Sequence, residues 1–423
     1  MSDAVAEPGW VEHAIWWQVY PLGFTGADPT GADRSVHGGF DQLTAWLDHA
    51  ISLGASGIAL GPVFASQSHG YDTLDHFAID SRLGDDTGFD RFVAAAHERG
   101  LRVLLDGVFN HVGDEHPWVR DGDRRYVTDG VFEGHGGLVT LDHGSAEVVD
   151  HVVAVMTHWL GRGADGWRLD AAYSVPTAFW AQVLPRVREQ HPDAYVVGEV
   201  IHGDYPTFVR DSTVDAVTQY ELWKAVWSGL HDVNLFELAH ALGRHDDLLD
   251  TFVPWTFVGN HDVTRIASQV GDPRHRAHAD VVLFTVGGTP AVYYGDEYDA
   301  EGVKEERVGG DDAVRPVFPP TPGEPFGAAA AAALARTREL IGLRRRHPWW
   351  HRARTEVVTL TNTTLAYDVR ETDGDGISRV LLNLDDAPFT HELLGELLAG
   401  DATVQGATVT VPPHGWAVTG ASG

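Results

Sequence analysis

The chain has no cysteine, and only two lysines and two methionines among its 423 residues. The lack of cysteine excludes disulfides, thiolate metal sites, iron–sulfur clusters and a thiol nucleophile. With only Lys224 and Lys304, arginine carries nearly all the positive charge, which reads as genome composition and not as chemistry. Positive charge is itself scarce: 30 Lys and Arg stand against 61 Asp and Glu, a formal net charge of −31. Such a field repels nucleic acid and anionic membranes, so neither is an expected partner, whereas a neutral ligand is indifferent to it. No apolar run approaches the roughly 18 residues that a membrane-spanning helix needs. The first ten residues lack the basic and apolar regions of a signal peptide. A cytoplasmic protein is the expectation.

What the chain does have is an ordinary core composition, 43% hydrophobic, and enough length for one large domain with a small companion. Strand-like runs fall at 14–20, 57–62, 102–108, 165–170, 194–199, 216–220, 255–259 and 291–294. Helical stretches such as 40–53, 88–98, 146–160 and 175–190 lie between them. This alternation predicts a parallel α/β architecture, and eight such units at this length fit a closed (β/α)8 barrel better than an open sheet. Residues 111–144, rich in Gly, Asp and His, break the rhythm after the third strand and read as a short inserted loop domain. A second break covers 301–326, followed by an alanine-rich helix over 327–347 that Pro348 stops. From 349 the pattern turns β-rich, with runs at 356–361, 364–370, 379–384, 408–411 and 416–419. The expected organisation is a barrel over 1–110 and 145–348, the insertion over 111–144, and an antiparallel, sandwich-like β domain over 349–423.

Three strings place carboxylates at the ends of strand-like runs: Gly166-Trp167-Arg168-Leu169-Asp170-Ala171, Gly198-Glu199-Val200, and Phe257-Val258-Gly259-Asn260-His261-Asp262. Unpaired ionised carboxylates are costly in a core. They are useful where they converge on a cleft, and cleaving a glycosidic bond with retention needs one carboxylate nucleophile and one carboxylic acid donor. Singly, each string has a bland reading: an internal ion pair, an uninformative tripeptide, a turn. Together with Asp106-Gly107-Val108-Phe109-Asn110-His111, Gly70-Tyr71-Asp72-Thr73-Leu74-Asp75 and Gly288 through Glu297, they stand in the order found in one family. From about Ile15 to Thr419 the chain resembles the α-amylase family of retaining α-glycoside hydrolases and transglycosylases.

That resemblance implies roles. Asp170 would be the nucleophile, Glu199 the general acid and then base, and Asp262 a ligand of sugar hydroxyls acting most in the transition state. Arg168, on the face of its strand that Asp170 shares, would hold Asp170 ionised. His111 and His261 would donate to hydroxyls of the same sugar, Tyr71 would stack on it, and Asp106 would support the site through Arg168. The second motif is nearest the branch that acts on cyclodextrins and pullulan. That branch often carries an N-terminal dimerisation domain, absent here, so a homodimer is an open expectation. No cofactor is implied. Calcium is a further expectation, because Asn110 and nearby Asp114 offer oxygen ligands, whereas His111 and His116 lack a zinc arrangement. The implied activity is hydrolysis of α-1,4 bonds in short or cyclic malto-oligosaccharides, with α-1,6 bonds as a further expectation. An α-glucosidase or transglycosylase shares the motifs. An inactive glucan-binding or partner protein would be expected to lose the acids kept here. Aromatic Trp118, Tyr126 and Phe132 of the insertion are expected either on a cleft wall or in the core.

Overall fold

The computed structural model describes residues 7–307, 309–323 and 327–421. The start of the segment read for a signal peptide, and Val308 and 324–326 of the second break, lie outside them. Eight parallel strands form the central sheet: β1 (Trp16–Val19), β2 (Gly57–Leu60), β3 (Arg102–Gly107), β4 (Gly166–Leu169), β5 (Tyr195–Gly198), β6 (Ala216–Val217), β7 (Trp255–Phe257) and β8 (Thr289–Tyr293). Their order is 6-5-4-3-2-1-8-7. A single parallel bridge, Thr218 to Trp255, joins β6 to β7 and closes the ring. The result is a (β/α)8 barrel. Its strands are apolar almost throughout because both faces are covered, by helices outside and by one another's side chains inside.

The barrel floor is aromatic. Trp16 of β1 stacks on Tyr195 of β5 (6.5 Å, 11°) and on Trp255 of β7 (5.7 Å, 23°). These rings come from odd-numbered strands, as a layer of a barrel interior requires. They leave room for nothing beyond hydrogen on the neighbouring strand: a Cβ at Gly57 would lie 2.4 Å from the Trp16 ring.

The predicted helix over 40–53 is two helices, Gly39–Ala45 and Leu47–Leu53, parted at Trp46. The indole Nε1 of Trp46 donates to the Pro319 carbonyl (2.9 Å), tying this turn to the segment after β8. The insertion is a three-stranded antiparallel sheet, His111–Gly113, Val127–Val131 and Leu138–Leu141. Its Trp118 and Tyr126 stack on each other (4.1 Å, 8°) and pack on the main core.

After helix Ala328–Arg346, the chain builds β9 (Arg354–Leu360), β10 (Thr364–Arg370), β11 (Ile377–Asn383), β12 (Phe389–Glu392), β13 (Glu396–Gly400), β14 (Thr403–Gln405), β15 (Thr408–Val411) and β16 (Trp416–Gly420). A five-stranded antiparallel sheet, 9-10-11-16-13, faces a three-stranded one, 12-15-14. Ala366, Leu381, Val409, Val411 and Ala417 pack together in a core of their own. Polar ties fix this unit to the barrel: Tyr367 pairs with Thr285 (2.7 Å), and His278 Nε2 reaches the carbonyls of Asn383 (3.2 Å) and Gly415 (3.0 Å).

Candidate active site

The carboxyl ends of the strands open into one cavity of ≈ 1030 Å³, at the upper end of the size range of small-molecule sites. Asp170 is the residue after β4 and Glu199 the residue after β5. These strands pair in register, Val197 with Arg168 and Gly198 with Leu169, so the two acids leave the sheet side by side. Asp170, Glu199, Asp262, Tyr71 and His111 all line the cavity. Arg168, Asp106 and His261 lie just behind its wall, each nearly or wholly buried.

Arg168 serves three carboxyls. Its Nη1 donates to Asp106 Oδ1 and Oδ2 (2.7 and 2.6 Å), and its Nη2 lies 2.8 Å from Glu199 Oε1. Asp170 Oδ1 is the most distant of the three, at 3.4 Å from Nη1. The expected hold on Asp170 is thus the guanidinium's weakest contact. Glu199 also accepts from the Ala171 amide (3.1 Å) and the Tyr220 hydroxyl (2.9 Å). Burial pushes the Asp170 carboxyl well above the usual aspartate range; Arg168 opposes this, and the charges of Glu199 and Asp106 reinforce it. Asp106 is raised by burial as well, against the pull of Arg168. Burial works against the charge of Arg168, but Asp106 and Glu199 keep the guanidinium firmly protonated.

Asp262 has its own cations. Its Oδ1 accepts from Arg315 Nη2 (2.9 Å), and its Oδ2 lies 2.9 Å from His261 Nε2. Burial alone would raise its pKa, yet His261 and Arg315 hold the carboxyl far below the ordinary range. The two acids facing the cavity from β4 and β7 therefore differ: one is pushed toward protonation and the other is fixed as a carboxylate.

Aromatic stacking sets the orientation of these groups. The His261 ring lies parallel to Tyr20 (5.7 Å, 5°) and meets Tyr71 edge to edge, where the Tyr71 hydroxyl contacts both His261 Nε2 and Asp106 (3.2 Å). Arg315 covers the other reach of Tyr20, 4.6 Å from its centroid. His111 Nε2 donates to the Tyr71 carbonyl (3.1 Å), while its Nδ1 accepts from Asn110 Nδ2 (3.0 Å). Burial lowers the His111 pKa to about 4, so the ring is neutral, and both nitrogens are engaged within the protein. The expected donation from His111 to a sugar hydroxyl is not poised in this arrangement.

The calcium expectation is not confirmed by these residues. Asn110 Nδ2 donates to His111 (3.0 Å), and Asp114 Oδ1 accepts from Gln67 (2.8 Å). Among the described residues no group of three or more His, Asp or Glu side chains is placed to hold a metal ion. No helix among them is long and apolar enough to cross a membrane.

Several cavity residues escaped the sequence reading: Tyr20, Tyr173, Tyr220, Trp223 and Arg315. Tyr20 and Tyr220 carried a signal, since each closes a predicted strand run. Arg315 had none, because it lies in the irregular segment after β8. Buried Arg265 anchors that segment. It pairs with Asp296 (2.8 Å) and donates to the carbonyls of Tyr294 and Val314 (3.0 Å each). Of the insertion's aromatics only Phe132 reaches the cavity, stacked on His111 (4.8 Å, 18°).

A closed eight-stranded barrel with its polar site at the carboxyl ends of the strands, followed by an antiparallel β unit, is the alpha-amylase type of fold. The chain belongs to the alpha-amylase family: the model of its catalytic domain matches residues 18–129 and 131–319. The chain is 32% identical over 347 residues to a cyclomaltodextrinase from a Bacillus species, covering 71% of this chain and 62% of that one. It is 30% identical over 343 residues to the intracellular maltogenic amylase of Bacillus subtilis strain 168, covering 71% and 58%. The chain thus spans about 60% of the length of these curated relatives, 62% and 58%. In fold it is similar to the cyclic alpha-maltosyl-(1→6)-maltose hydrolase of Arthrobacter globiformis, with a TM-score of 0.84, 24% identity and coverage of 98% and 100% of the two chains.

Proposed function

We propose that the protein is a retaining α-glycoside hydrolase that cleaves α-1,4 bonds, and α-1,6 bonds where these join maltosyl units, in short or cyclic malto-oligosaccharides. One observation carries this reading: Asp170 and Glu199 emerge from adjacent strands, share one guanidinium and face one cavity. In the proposed reaction Asp170 attacks the anomeric carbon while Glu199 gives its proton to the leaving oxygen. Glu199 then takes a proton from water, whose oxygen releases the sugar from Asp170. Asp262, fixed as a carboxylate, accepts from hydroxyls of the reacting sugar and binds the positively charged transition state more tightly than the ground state. Three carboxyls around one guanidinium carry two uncompensated charges when all are ionised, so the cluster favours keeping a proton. Turnover requires that proton on Glu199 and not on Asp170.

The substrate class rests on similarity to proteins named cyclomaltodextrinase and maltogenic amylase. The word intracellular in one of those names supports the cytoplasmic setting expected from the sequence. The test is product analysis of the wild type on linear, cyclic and α-1,6-linked glucans, with the anomer of the first product read by NMR. Retention, with kcat/KM much higher on small maltodextrins than on soluble starch, is expected; inversion would overturn the mechanism, and preference for starch would overturn the substrate class. Asp170→Asn should lower kcat by at least about 10³-fold in a folded protein, and comparable activity in that variant would remove Asp170 from its role. Glu199→Gln should cost far more on oligosaccharides than on aryl glycosides with acidic leaving groups, because a phenolate leaves without a proton; an equal loss on both would give Glu199 another role.

A further inference from the structure

The tip of the insertion touches the turn that follows β4, outside the machinery described so far. Glu133 Oε1 accepts from the Tyr173 hydroxyl at 2.7 Å. The two residues lie 40 apart in sequence, one on the insertion and one three residues past Asp170. Both line the cavity. Glu133 holds φ 48° and ψ 29°, a left-handed conformation that residues with a Cβ rarely adopt. Such backbone persists where surrounding contacts over-determine it. The Glu133 side chain is bonded to Tyr173, and its neighbour Phe132 is pinned on His111.

The turn carrying Tyr173 wraps around Glu199. Ala171, itself at φ 45°, donates its amide to Glu199 Oε2 (3.1 Å), and the Tyr173 amide donates to the Glu199 carbonyl (3.3 Å). An acid that protonates a leaving oxygen sits beside the leaving group, so whatever wraps the acid borders the leaving-group sugar. The resemblance assigns Tyr71, Asp262 and the His261 ring behind them instead to the reacting sugar. Burial and the Glu133 carboxylate raise the Tyr173 phenol above the ordinary tyrosine range, which keeps it a donor at every working pH.

We infer that the Glu133–Tyr173 hydrogen bond is a specificity latch: it fixes the Tyr173 ring as the platform for the first leaving-group sugar of a neutral oligosaccharide. This inference rests on the hydrolase reading. The ring offers an apolar face to the apolar face of a pyranose, and the latch removes the rotor freedom that binding would otherwise have to quench.

The test compares maltotriose with α-maltosyl fluoride, whose fluoride leaving group needs no sugar platform. Tyr173→Phe and Glu133→Ala should each lower kcat/KM on maltotriose by on the order of tenfold more than on the fluoride. The double variant should lose no more than either single, because both remove one bond. Glu133→Gln retains an acceptor oxygen and should recover most of the loss. Equal losses on the two substrates, multiplying losses in the double variant, or a silent Tyr173→Phe would each overturn the latch. A wild type that turns over neither substrate would instead overturn the hydrolase reading beneath it.

Discussion

Arg168 is one cation among three buried carboxyls, and that shortage governs the chemistry of the site. Lysine at this position would keep the charge but lose the fork that reaches Asp106 and Glu199 at once. Arg168→Lys should lower kcat/KM by about 10²-fold or more while leaving the melting temperature close to that of the wild type; full activity would show that the fork is dispensable. The same shortage sets the acid side of the pH profile. Asp170 must be ionised to attack, and burial has raised its pKa. Activity should therefore fall with decreasing pH sooner than an ordinary aspartate, near 3.8, would make it. A kcat/KM profile flat down to that ordinary value would contradict the raised pKa. At this scale the sequence was legible wherever a motif fixed the spacing: Asp106, Arg168, Asp170, Glu199, His261 and Asp262 gather as the resemblance implied. It was silent on Arg315, whose approach to Asp262 depends on the path of an irregular segment, and on the engagement of both His111 nitrogens.

Among the elements, the insertion is held to the barrel by neutral histidines. His76 of the hairpin strand Thr73–Ile79 bonds the Val108 carbonyl (3.0 Å) and faces His151 Nε2 (3.4 Å), while His116 packs against Trp118 (4.4 Å). Burial lowers all three, His116 to about 4 and His151 to about 3. In the unfolded chain each takes up a proton near pH 6.5. Their folded pKa values are depressed, so their contribution is complete above about pH 6.5 and is lost as pH falls from there toward the folded values. The melting temperature should drop on acidification through this window, and His151→Phe should make the drop shallower; parallel curves for the two proteins would count against the histidines. Element existence was legible where periodicity was strong. All eight barrel strands fall within the predicted runs or a residue or two beyond them. The strands β12, β13 and β14 were missed, because partly exposed short runs such as Phe389-Thr-His-Glu lack alternation long enough to read. Trp118 and Tyr126 had two equal readings because an aromatic ring suits a sugar face and a core alike, and only tertiary packing decides.

For the molecule as a whole, the acidic excess is a standing repulsion among surface charges. Local pairs offset part of it, as where Arg162 bridges Asp86 (2.6 Å) and Asp90 (2.8 Å), but a net of −31 remains. Salt screens repulsion between exposed charges beyond about 10 Å at 0.1 M. Stability should therefore rise between low salt and about 0.5 M sodium chloride. A melting temperature that falls with salt would mean that the attractive pairs dominate.

The ring of strands is fastened at one place by a single bridge, with the Gln219 amide donating to Trp255 just beyond it (2.9 Å). A hoop opens at its clasp. Tyr220, the next residue, gives its hydroxyl to Glu199, and Asn260 on the far side gives its amide to that same hydroxyl (2.9 Å each). Any breathing of the clasp therefore tugs on the acid. The rate at which the Gln219 amide trades its proton for deuterium becomes a gauge of how firmly Glu199 is held. A sugar bridging both sides of the clasp should slow that trade, even though it never touches the amide itself.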